Sequence, residues 1–297
     1  MRNFITPKGL SEKYINDIAQ LEKTCENFEE LRMKMNWDML KNRSPLQNND
    51  FLCYEDDKLI GFLGLYDIQE QCQEIEITGM VHPDYRRQGI FKELFENAKQ
   101  KCADLKAERI LLVSERSISA AAAFVKSTGA KYYNSEFSML FNDGSVPKYP
   151  QAGINLRNPL NKDDRNLSRL DKLCFGYGLA GDEDGTVHTD GDDAVSNSYS
   201  TTLIAELDDT FIGKIGLMKE NGKGYIFGFA VEQELRGKGY GREILSLALS
   251  KLLSEGIEEV LLEVAVKNDR ALLLYKSCGF KEITVYDYHI LERISGF

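Results

Sequence analysis

The sequence has few of the residues from which metal centres and disulfide scaffolds are built. It contains three histidines and six cysteines in 297 residues, and the cysteines form neither a C-x-x-C pair nor the spacing of a zinc site. The histidines, His82, His188 and His289, lie far apart in the chain. We therefore expect no metal, and we expect reduced thiols in a cytoplasmic protein.

Long apolar runs and an excess of positive charge are also missing. The chain has no run of 18 apolar residues and no apolar core of a signal peptide at its start, so we expect no membrane partner. It carries 37 basic and 47 acidic residues, a formal net charge of −10. Such a surface repels a phosphate backbone, so we expect no nucleic-acid partner, and it favours a cationic small molecule.

The sequence does contain an internal repeat, which is the first indication of its architecture. The segment 81–91 aligns with 231–241 at an offset of 150 residues. The same offset continues to Gly129 and Gly279, whereas the upstream Asp-Asp turns align at an offset of 152. This difference predicts a loop that is two residues shorter in the second copy. We predict two domains of one fold, over residues 1–148 and 149–297.

Each copy has the pattern of a mixed α/β unit with an α+β mixed sheet. In the first copy the predicted helices cover residues 10–25, 28–42 and about 119–127, and a further amphipathic helix carries Ile90, Leu94, Phe95 and Ala98 on one face. The predicted strands cover 51–54, 59–66, 74–81 and 109–114, followed by closing strands. In the second copy the predicted strands cover 203–206, 211–217, 225–231 and 260–265, the predicted helices cover 240–254 and 269–277, and a last strand pair closes the unit. A Glu-Asp-Asp-Lys turn predicts a hairpin between the first two strands of the first copy.

A glycine-rich turn joins a strand to a helix in the second copy. It reads Arg236-Gly237-Lys238-Gly239-Tyr240-Gly241 and follows the strand that ends at Val231. The first backbone N–H groups of a helix have no partner in the helix and attract an anion, and glycine lets the anion approach. A dinucleotide fingerprint needs glycine where Arg242 stands, and no P-loop Gly-Lys-Ser/Thr is present. A turn without a ligand remains an alternative.

Two motifs in this order resemble the GNAT superfamily of acetyl-CoA-dependent N-acyltransferases. The first is Arg236-x-x-Gly239-x-Gly241, and the second runs from Asn268 to Phe280 as Asn-x-x-Ala-x-x-Leu-Tyr-x-x-x-Gly-Phe. With its two copies, the chain resembles the tandem GNAT proteins related to mycothiol synthase. The resemblance implies two GNAT folds and acetyl-CoA as co-substrate. The implied CoA-binding residues are Val231, Arg236, Gly237, Lys238, Gly239, Tyr240, Gly241 and Asn268, and in the first copy Val81, Arg86, Arg87, Gln88, Gly89, Ile90 and Phe91.

The second copy has candidates for each catalytic role. The phenol of Tyr275 is protonated at neutral pH and is suited to protonate a departing thiolate, with core packing as its alternative role. Glu263, on the strand before it, is the candidate base, as the resemblance implies. Glu232 is an alternative base or a surface charge, and water is a third option. The backbone near Val264 or Val266 would polarise the thioester carbonyl.

The two copies differ at the positions of Asn268 and Tyr275. Asn268 either contacts pantetheine or caps the following helix. In the first copy Ile118 aligns with Asn268, and Val125 aligns with Tyr275. Neither can donate a proton, so we expect the first copy to be catalytically degenerate and the second to be catalytic.

The resulting hypothesis is an acetyl-CoA-dependent N-acetyltransferase that acts on a primary amine of a small molecule or peptide by direct attack. The alternatives are a non-catalytic acyl-CoA-binding or regulatory module and an interaction scaffold. Residues 181–193 contain six carboxylates, which indicates either recognition of a cationic acceptor or a solvated loop. A tandem chain mimics a dimer internally, so we expect a monomer or a weak homodimer.

Overall fold

The computed structural model describes residues 1–29, 31–67, 74–147, 152–175, 200–220 and 222–292. Their helices are α1 (Glu12–Glu29), α2 (Trp37–Lys41), α3 (Ile90–Asp104), α4 (Ser119–Thr128), α5 (Asp164–Phe175), α6 (Tyr240–Ser254) and α7 (Asp269–Ser277). Their strands are β1 (Arg2–Ile5), β2 (Asp50–Glu55), β3 (Lys58–Tyr66), β4 (Glu74–Val81), β5 (Arg109–Glu115), β6 (Lys131–Phe141), β7 (Asn155–Arg157), β8 (Ser200–Leu207), β9 (Thr210–Glu220), β10 (Lys223–Val231), β11 (Glu259–Ala265) and β12 (Lys281–Glu292). None of the helices in these ranges is long and apolar enough to cross a membrane.

The chain divides into two compact units, each of mixed α/β structure. The first unit contains Met1–Glu136 and Thr284–Phe297, and the second contains Phe137–Ile283. The predicted boundary between residues 148 and 149 lies outside the described residues. Residues 137–141 of β6 lie in the second unit and residues 284–292 of β12 lie in the first, so the units do not coincide with two consecutive halves of the chain.

In the first unit the strand order is β1-β2-β3-β4-β5-β12, and only β4 and β5 pair in parallel. The predicted hairpin is confirmed: β2 and β3 pair antiparallel around Asp56 and Asp57, which both have positive φ. A buried apolar cluster packs α3 against one face of the sheet, and a second cluster packs α1 and α2 against the other face. The sheet is therefore covered on both faces.

The predicted helix over residues 28–42 is wrong. Residues 31–36 are not helical, and α2 has only five residues. Asn36, which precedes α2, has a φ of +49° and a ψ of +53°. This left-handed conformation cannot continue a right-handed helix, so it separates α2 from α1.

The second unit has the strand order β7-β8-β9-β10-β11-β6, and β10 and β11 pair in parallel. Its core packs α6 against the sheet and includes Met139 and Phe141 from β6. In the first unit, Tyr286–Glu292 of β12 pair antiparallel with β5. Each copy was predicted to close with its own strands, but the structure exchanges these strands. The prediction failed because the pairing of closing strands is a long-range choice that local sequence pattern does not specify.

Strand β10 differs from β4 by a β-bulge. In β4 the pairing with β3 is continuous over residues 76–81. In β10 the register with β9 shifts between Phe227 and Ala230, and Gly228, inside this shift, has a φ of +53°. A bulge adds one residue to a strand and redirects the backbone groups beside it. The second unit therefore has a redirected backbone segment where the first has a regular ladder.

The bulge corrects the alignment of the two copies. Thr78 lies opposite Gly64 and Phe227 lies opposite Gly216, so Phe227 takes the place of Thr78 at an offset of 149 residues. After the bulge the offset is 150, as predicted. The loop before β10 is thus three residues shorter than the loop before β4, and the bulge adds one residue back. The predicted shortening by two residues in a loop alone is wrong.

Candidate active site

The glycine-rich turn of the second unit ends at the first residue of α6. Gly237 and Gly239 have φ values of +78° and +90°, and a Cβ atom at either position would meet nothing within 4 Å. Gly239 precedes the 15-residue helix α6 and provides no side-chain cap. The turn is therefore open beside the start of α6, and Gly239 gives the first N–H groups no side-chain cap, as an anion site at a helix start requires.

Gly241 lies where three elements meet. A Cβ atom there would be 3.3 Å from Leu274 of α7, 3.7 Å from Phe229 and 3.8 Å from Val231 of β10. The turn is therefore packed closely against the end of β10 and against α7. This packing places the start of α6 beside Val231, the residue at which the predicted site begins.

Strands β10 and β11 separate before β10 reaches this turn. Their parallel pairing runs from Lys223–Glu259 to Ile226–Leu262 and then stops. Beyond it, β10 enters the bulge and β11 continues to Ala265. Separated parallel strands leave backbone N–H and C=O groups that a ligand can bind.

Tyr275 is buried beside the bulge. Its side chain is in the apolar core and 8% exposed, and its ring centroid lies 6.4 Å from that of Phe229 and 6.0 Å from that of Phe280. Burial raises the pKa of its phenol to about 12. The hydroxyl therefore keeps its proton throughout the neutral range, as a proton donor must.

The two candidate bases have different surroundings. Glu263 is exposed at the first position of β11 beyond the paired stretch. Glu232 is 8% exposed and accepts hydrogen bonds from both terminal nitrogens of Arg169 on α5, one of them at 3.2 Å. The alternative of a surface charge is wrong for Glu232, because its carboxylate is buried and pairs with Arg169. Glu263 is the more exposed of the two carboxylates and remains the candidate base.

Two further predicted ligand residues are engaged within the protein. The Arg236 side chain folds back, and its Nε donates to the Val231 carbonyl at 2.9 Å while Nη2 contacts Cys174 Sγ at 3.3 Å. The Asn268 Oδ1 accepts from the Ala271 N–H at 3.2 Å, so Asn268 caps α7. Arg236 therefore supports the turn, and the side chains of Lys238 and Tyr240 remain beside the glycines.

The first unit contains a cavity of about 590 Å³ in the corresponding place. It lies between the separating ends of β4 and β5, whose pairing ends at Ile77–Leu112, and it extends to the start of α3. Its lining includes Val81, Arg86, Arg87, Gly89, Ile90 and Phe91. A cavity of this size is in the range of small-molecule sites.

The turn before α3 repeats the turn before α6. Gly89 has a φ of +82° with nothing within 4 Å of a Cβ atom. Arg87, at the position of Gly237, has a φ of +63°, a conformation that costs a non-glycine residue about 1–2 kcal/mol. The Arg86 Nε donates to the Val81 carbonyl at 3.0 Å, as Arg236 does to Val231, and Gln88 contacts Arg2.

The catalytic positions of the first unit hold apolar side chains. Phe91 occupies the place of Gly241, and its ring packs against Phe124 with centroids 4.6 Å apart. Val125, in the place of Tyr275, is 5% exposed in the core. Ile118 precedes α4 without a side-chain hydrogen bond to the helix. Thr78 lines the cavity, and its buried hydroxyl has no hydrogen-bond partner among the described residues.

Two remaining predictions concern metals and the acidic segment. In the described ranges, no group of three or more His, Cys, Asp or Glu side chains is placed to hold a metal ion. The acidic segment 181–193 lies outside the described residues. The five cysteines that the structure describes all carry free thiols.

A family model described as the acetyltransferase (GNAT) family matches residues 15–130 and 167–280, which together are more than half of the chain. The chain belongs to the GNAT acetyltransferase family. The two matches correspond to the two copies, so the chain is a tandem GNAT protein, as the two motifs indicate.

The chain is also similar to individual proteins, at moderate sequence identity. The chain is 24% identical over 226 residues to a mycothiol acetyltransferase of Cellulomonas flavigena, covering 69% of this chain and 64% of that protein. It is 40% identical over 71 residues to N-alpha-acetyltransferase 30 of Saccharomyces cerevisiae, covering 24% of this chain and 40% of that protein. The chain therefore spans less than two-thirds of either relative.

A solved structure supports the fold over nearly the full length. A GCN5-related N-acetyltransferase from Sphaerobacter thermophilus superposes with a TM-score of 0.77 at 19% identity, covering 97% of this chain and 95% of that one. At this identity the likeness concerns the fold alone. It agrees with the prediction of a mixed α/β chain that contains two GNAT folds.

Sequence reasoning missed the bulge and the cavity of the first unit. The bulge has a signal, since Gly228 follows two large apolar residues inside a strand, where an isolated glycine indicates a bulge. The cavity has a weaker signal in Arg86, Arg87 and Gly89, which preserve the turn.

Proposed function

We propose that the chain transfers an acetyl group from acetyl-CoA to a primary amine of a small molecule or peptide, and that the second unit performs the chemistry. The observation that carries this proposal is the position of Tyr275. Its buried phenol lies beside Phe229 of the bulge, where β10 and β11 separate, and it keeps its proton because its pKa is about 12.

The residues present fit acetyl-CoA as a substrate. The pyrophosphate fits the open N–H groups after Gly237 and Gly239, where the helix dipole adds positive potential. The separated ends of β10 and β11 offer backbone hydrogen bonds to the pantetheine amides. The exposed side chain of Lys238 supplies a positive charge at the turn.

When bound, acetyl-CoA supplies an acetyl thioester, which is the electrophile of the reaction. The exposed Glu263 carboxylate accepts a proton from the acceptor, so that a neutral amine attacks. The phenol of Tyr275 gives its proton to the departing thiolate. A backbone N–H near Val264 or Val266 polarises the thioester carbonyl, a role that preorganised donors perform in other enzymes.

We infer that the first unit retains a site for CoA without catalysis. Its cavity, its turn at Gly89 and the unpartnered Thr78 hydroxyl suit a polar and apolar ligand, but Val125 provides no proton. A chain in which both units only bind acyl-CoA is the second candidate. The presence of both Glu263 and Tyr275 in the second unit favours the enzyme. The free thiols agree with a reducing compartment such as the cytoplasm.

The test is release of CoA thiol from acetyl-CoA in the presence of primary amines. We expect amine-dependent release by the wild-type chain, and about a 100-fold or larger loss in Glu263→Gln at neutral pH, because general base catalysis contributes rate of that order. Glu232→Gln serves as the matched control for removal of a carboxylate and is expected to retain turnover. A chain that binds acetyl-CoA but releases no thiol with any amine supports the binding module instead.

A further inference from the structure

In the second unit an aromatic residue and a carboxylate each lie one position beyond the last pair between β10 and β11. Ile226 and Leu262 form the last pair between β10 and β11 and belong to the core under α6. Side chains alternate between the two faces of a sheet. Phe227 on β10 and Glu263 on β11 are the next residues along their neighbouring strands. Their side chains therefore point to the face of the sheet opposite to α6.

Phe227 is exposed on that face and fixed in position. It is 44% exposed, and its ring covers Gly216 so closely that a Cβ atom on Gly216 would lie 2.5 Å from it. Gly216 thus provides the space in which the ring lies against the sheet. A large apolar ring held where two strands separate can contact an apolar part of a ligand.

The first unit has no such pair. Thr78 takes the place of Phe227 and is 5% exposed, and Val113 takes the place of Glu263. Val113 packs against the cluster of Leu111, Tyr286 and Tyr288. The ring and the carboxylate are therefore features of the unit to which we assign the chemistry.

Their chemistry selects one class of acceptor. A carboxylate attracts an amine in its ammonium form and disfavours an acceptor with its own carboxylate nearby. An exposed ring stabilises an apolar group of the acceptor by burial. An amine that carries an apolar group close to its nitrogen uses both contacts at once.

We propose that Phe227 and Glu263 form the acceptor-recognition pair, and that the acceptor is a primary amine with an apolar substituent next to the amine. Glu263 contacts the nitrogen, and Phe227 contacts the apolar substituent. This proposal rests on the proposed function of the second unit and extends it from amines in general to apolar amines.

The experiment compares acceptor amines in matched pairs. Each pair joins an apolar amine and a hydroxylated amine of similar basicity, such as 2-phenylethylamine and ethanolamine, with saturating acetyl-CoA. In the wild-type chain we expect kcat/KM to favour the apolar member by about tenfold or more, the scale on which an apolar pocket discriminates. In Phe227→Ala the KM of the apolar amine rises and the preference disappears, while the KM of acetyl-CoA is unchanged.

Two variants control for folding and for surface apolarity. Phe227→Leu retains an apolar contact and is expected to retain most of the preference. Leu273→Ala removes an apolar side chain that is 68% exposed on α7 and is expected to leave the preference intact. Acetyl transfer without an apolar preference, or a preference that survives in Phe227→Ala, overturns the proposal. Failure of the wild-type chain to acetylate any amine contradicts the proposed function itself.

Discussion

Strand β4 of the first unit keeps an unbroken ladder with β3 up to Val81, whereas β10 of the second unit is interrupted by the bulge at Gly228. The two units share their turn, the helix that follows it and the separation of their parallel strands. They differ at the point where chemistry would take place. The comparison is the basis of our proposal that both copies keep a binding scaffold while only one carries catalytic groups.

The two units also differ on the sheet face that is covered by α1 and α2 in the first unit and by α5 in the second. In the first unit, Phe62 is fully buried in the apolar cluster under α1 and α2. In the second unit, Lys214 takes its place and forms an ion pair with Asp171 of α5. At this position the first unit therefore packs α1 and α2 on an apolar ring, and the second holds α5 by an ion pair.

The largest expected effect concerns the proton donor. Tyr275→Phe removes only a hydroxyl, so we expect kcat to fall by about 10²- to 10⁴-fold, the usual contribution of general acid catalysis, with unchanged affinity for acetyl-CoA. Steady-state kinetics measure this effect. Tyr133→Phe, at a tyrosine that is 51% exposed, is the control and should retain wild-type rates. Wild-type activity in Tyr275→Phe would show that Tyr275 is not the acid, and the first unit would again be a candidate for the catalytic unit.

The next effect concerns stability. Phe62→Ala leaves a cavity in a full apolar core, and we expect a loss of about 3–5 kcal/mol in the free energy of unfolding. Replacing Lys214 and Asp171 together by methionine should be neutral or stabilising, because burial of the two charges offsets much of their attraction. Urea unfolding measures both. Equal losses in the two proteins would contradict the described difference in packing.

High pH should lower the stability of the folded chain through Tyr275. Tyr275 ionises near pH 12 in the folded chain and near pH 10 when unfolded. Between these values the unfolded chain holds fewer protons, so stability falls as pH rises, by about 2–3 kcal/mol over two pH units. Below pH 10 the effect is absent. The difference between wild type and Tyr275→Phe isolates it, and identical alkaline unfolding of both proteins would show that the phenol is not buried.

The smallest effect concerns the shared turn. Arg87→Gly relieves a left-handed conformation, and we expect a gain of up to about 1 kcal/mol. Gly237→Arg imposes that conformation on the second unit and should cost about 1–2 kcal/mol. Thermal unfolding should shift by about 2–4 °C per kcal/mol in opposite directions. Shifts of the same sign would mean that the two turns differ in backbone conformation.

Much of the fold follows from the sequence. The bounds of β4 and α6 are predicted to the residue, because an apolar period of two or of 3.6 residues and the flanking glycines act locally. The glycine-rich turn and the place of Tyr275 on α7 follow from the ordered motifs. These features depend on neighbouring residues in the chain.

Other features depend on contacts that local pattern does not contain. Gly228 indicates a bulge, but the flanking Ile226, Phe227 and Phe229 are all apolar, so the pattern does not specify which register the strand adopts after it. The exchange of closing strands is a choice between distant partners of similar pattern. Glu232 resembles a surface charge until Arg169 of α5 is brought to it by folding.

Calorimetric titration with acetyl-CoA, combined with turnover, tests most directly the claim that both units bind and only the second transfers. We predict two sites per wild-type chain and one site in both Gly89→Val and Gly239→Val, because valine resists the positive φ at these positions. Acetyl transfer should persist in Gly89→Val and be lost in Gly239→Val. Loss of transfer in Gly89→Val with full transfer in Gly239→Val would contradict the account.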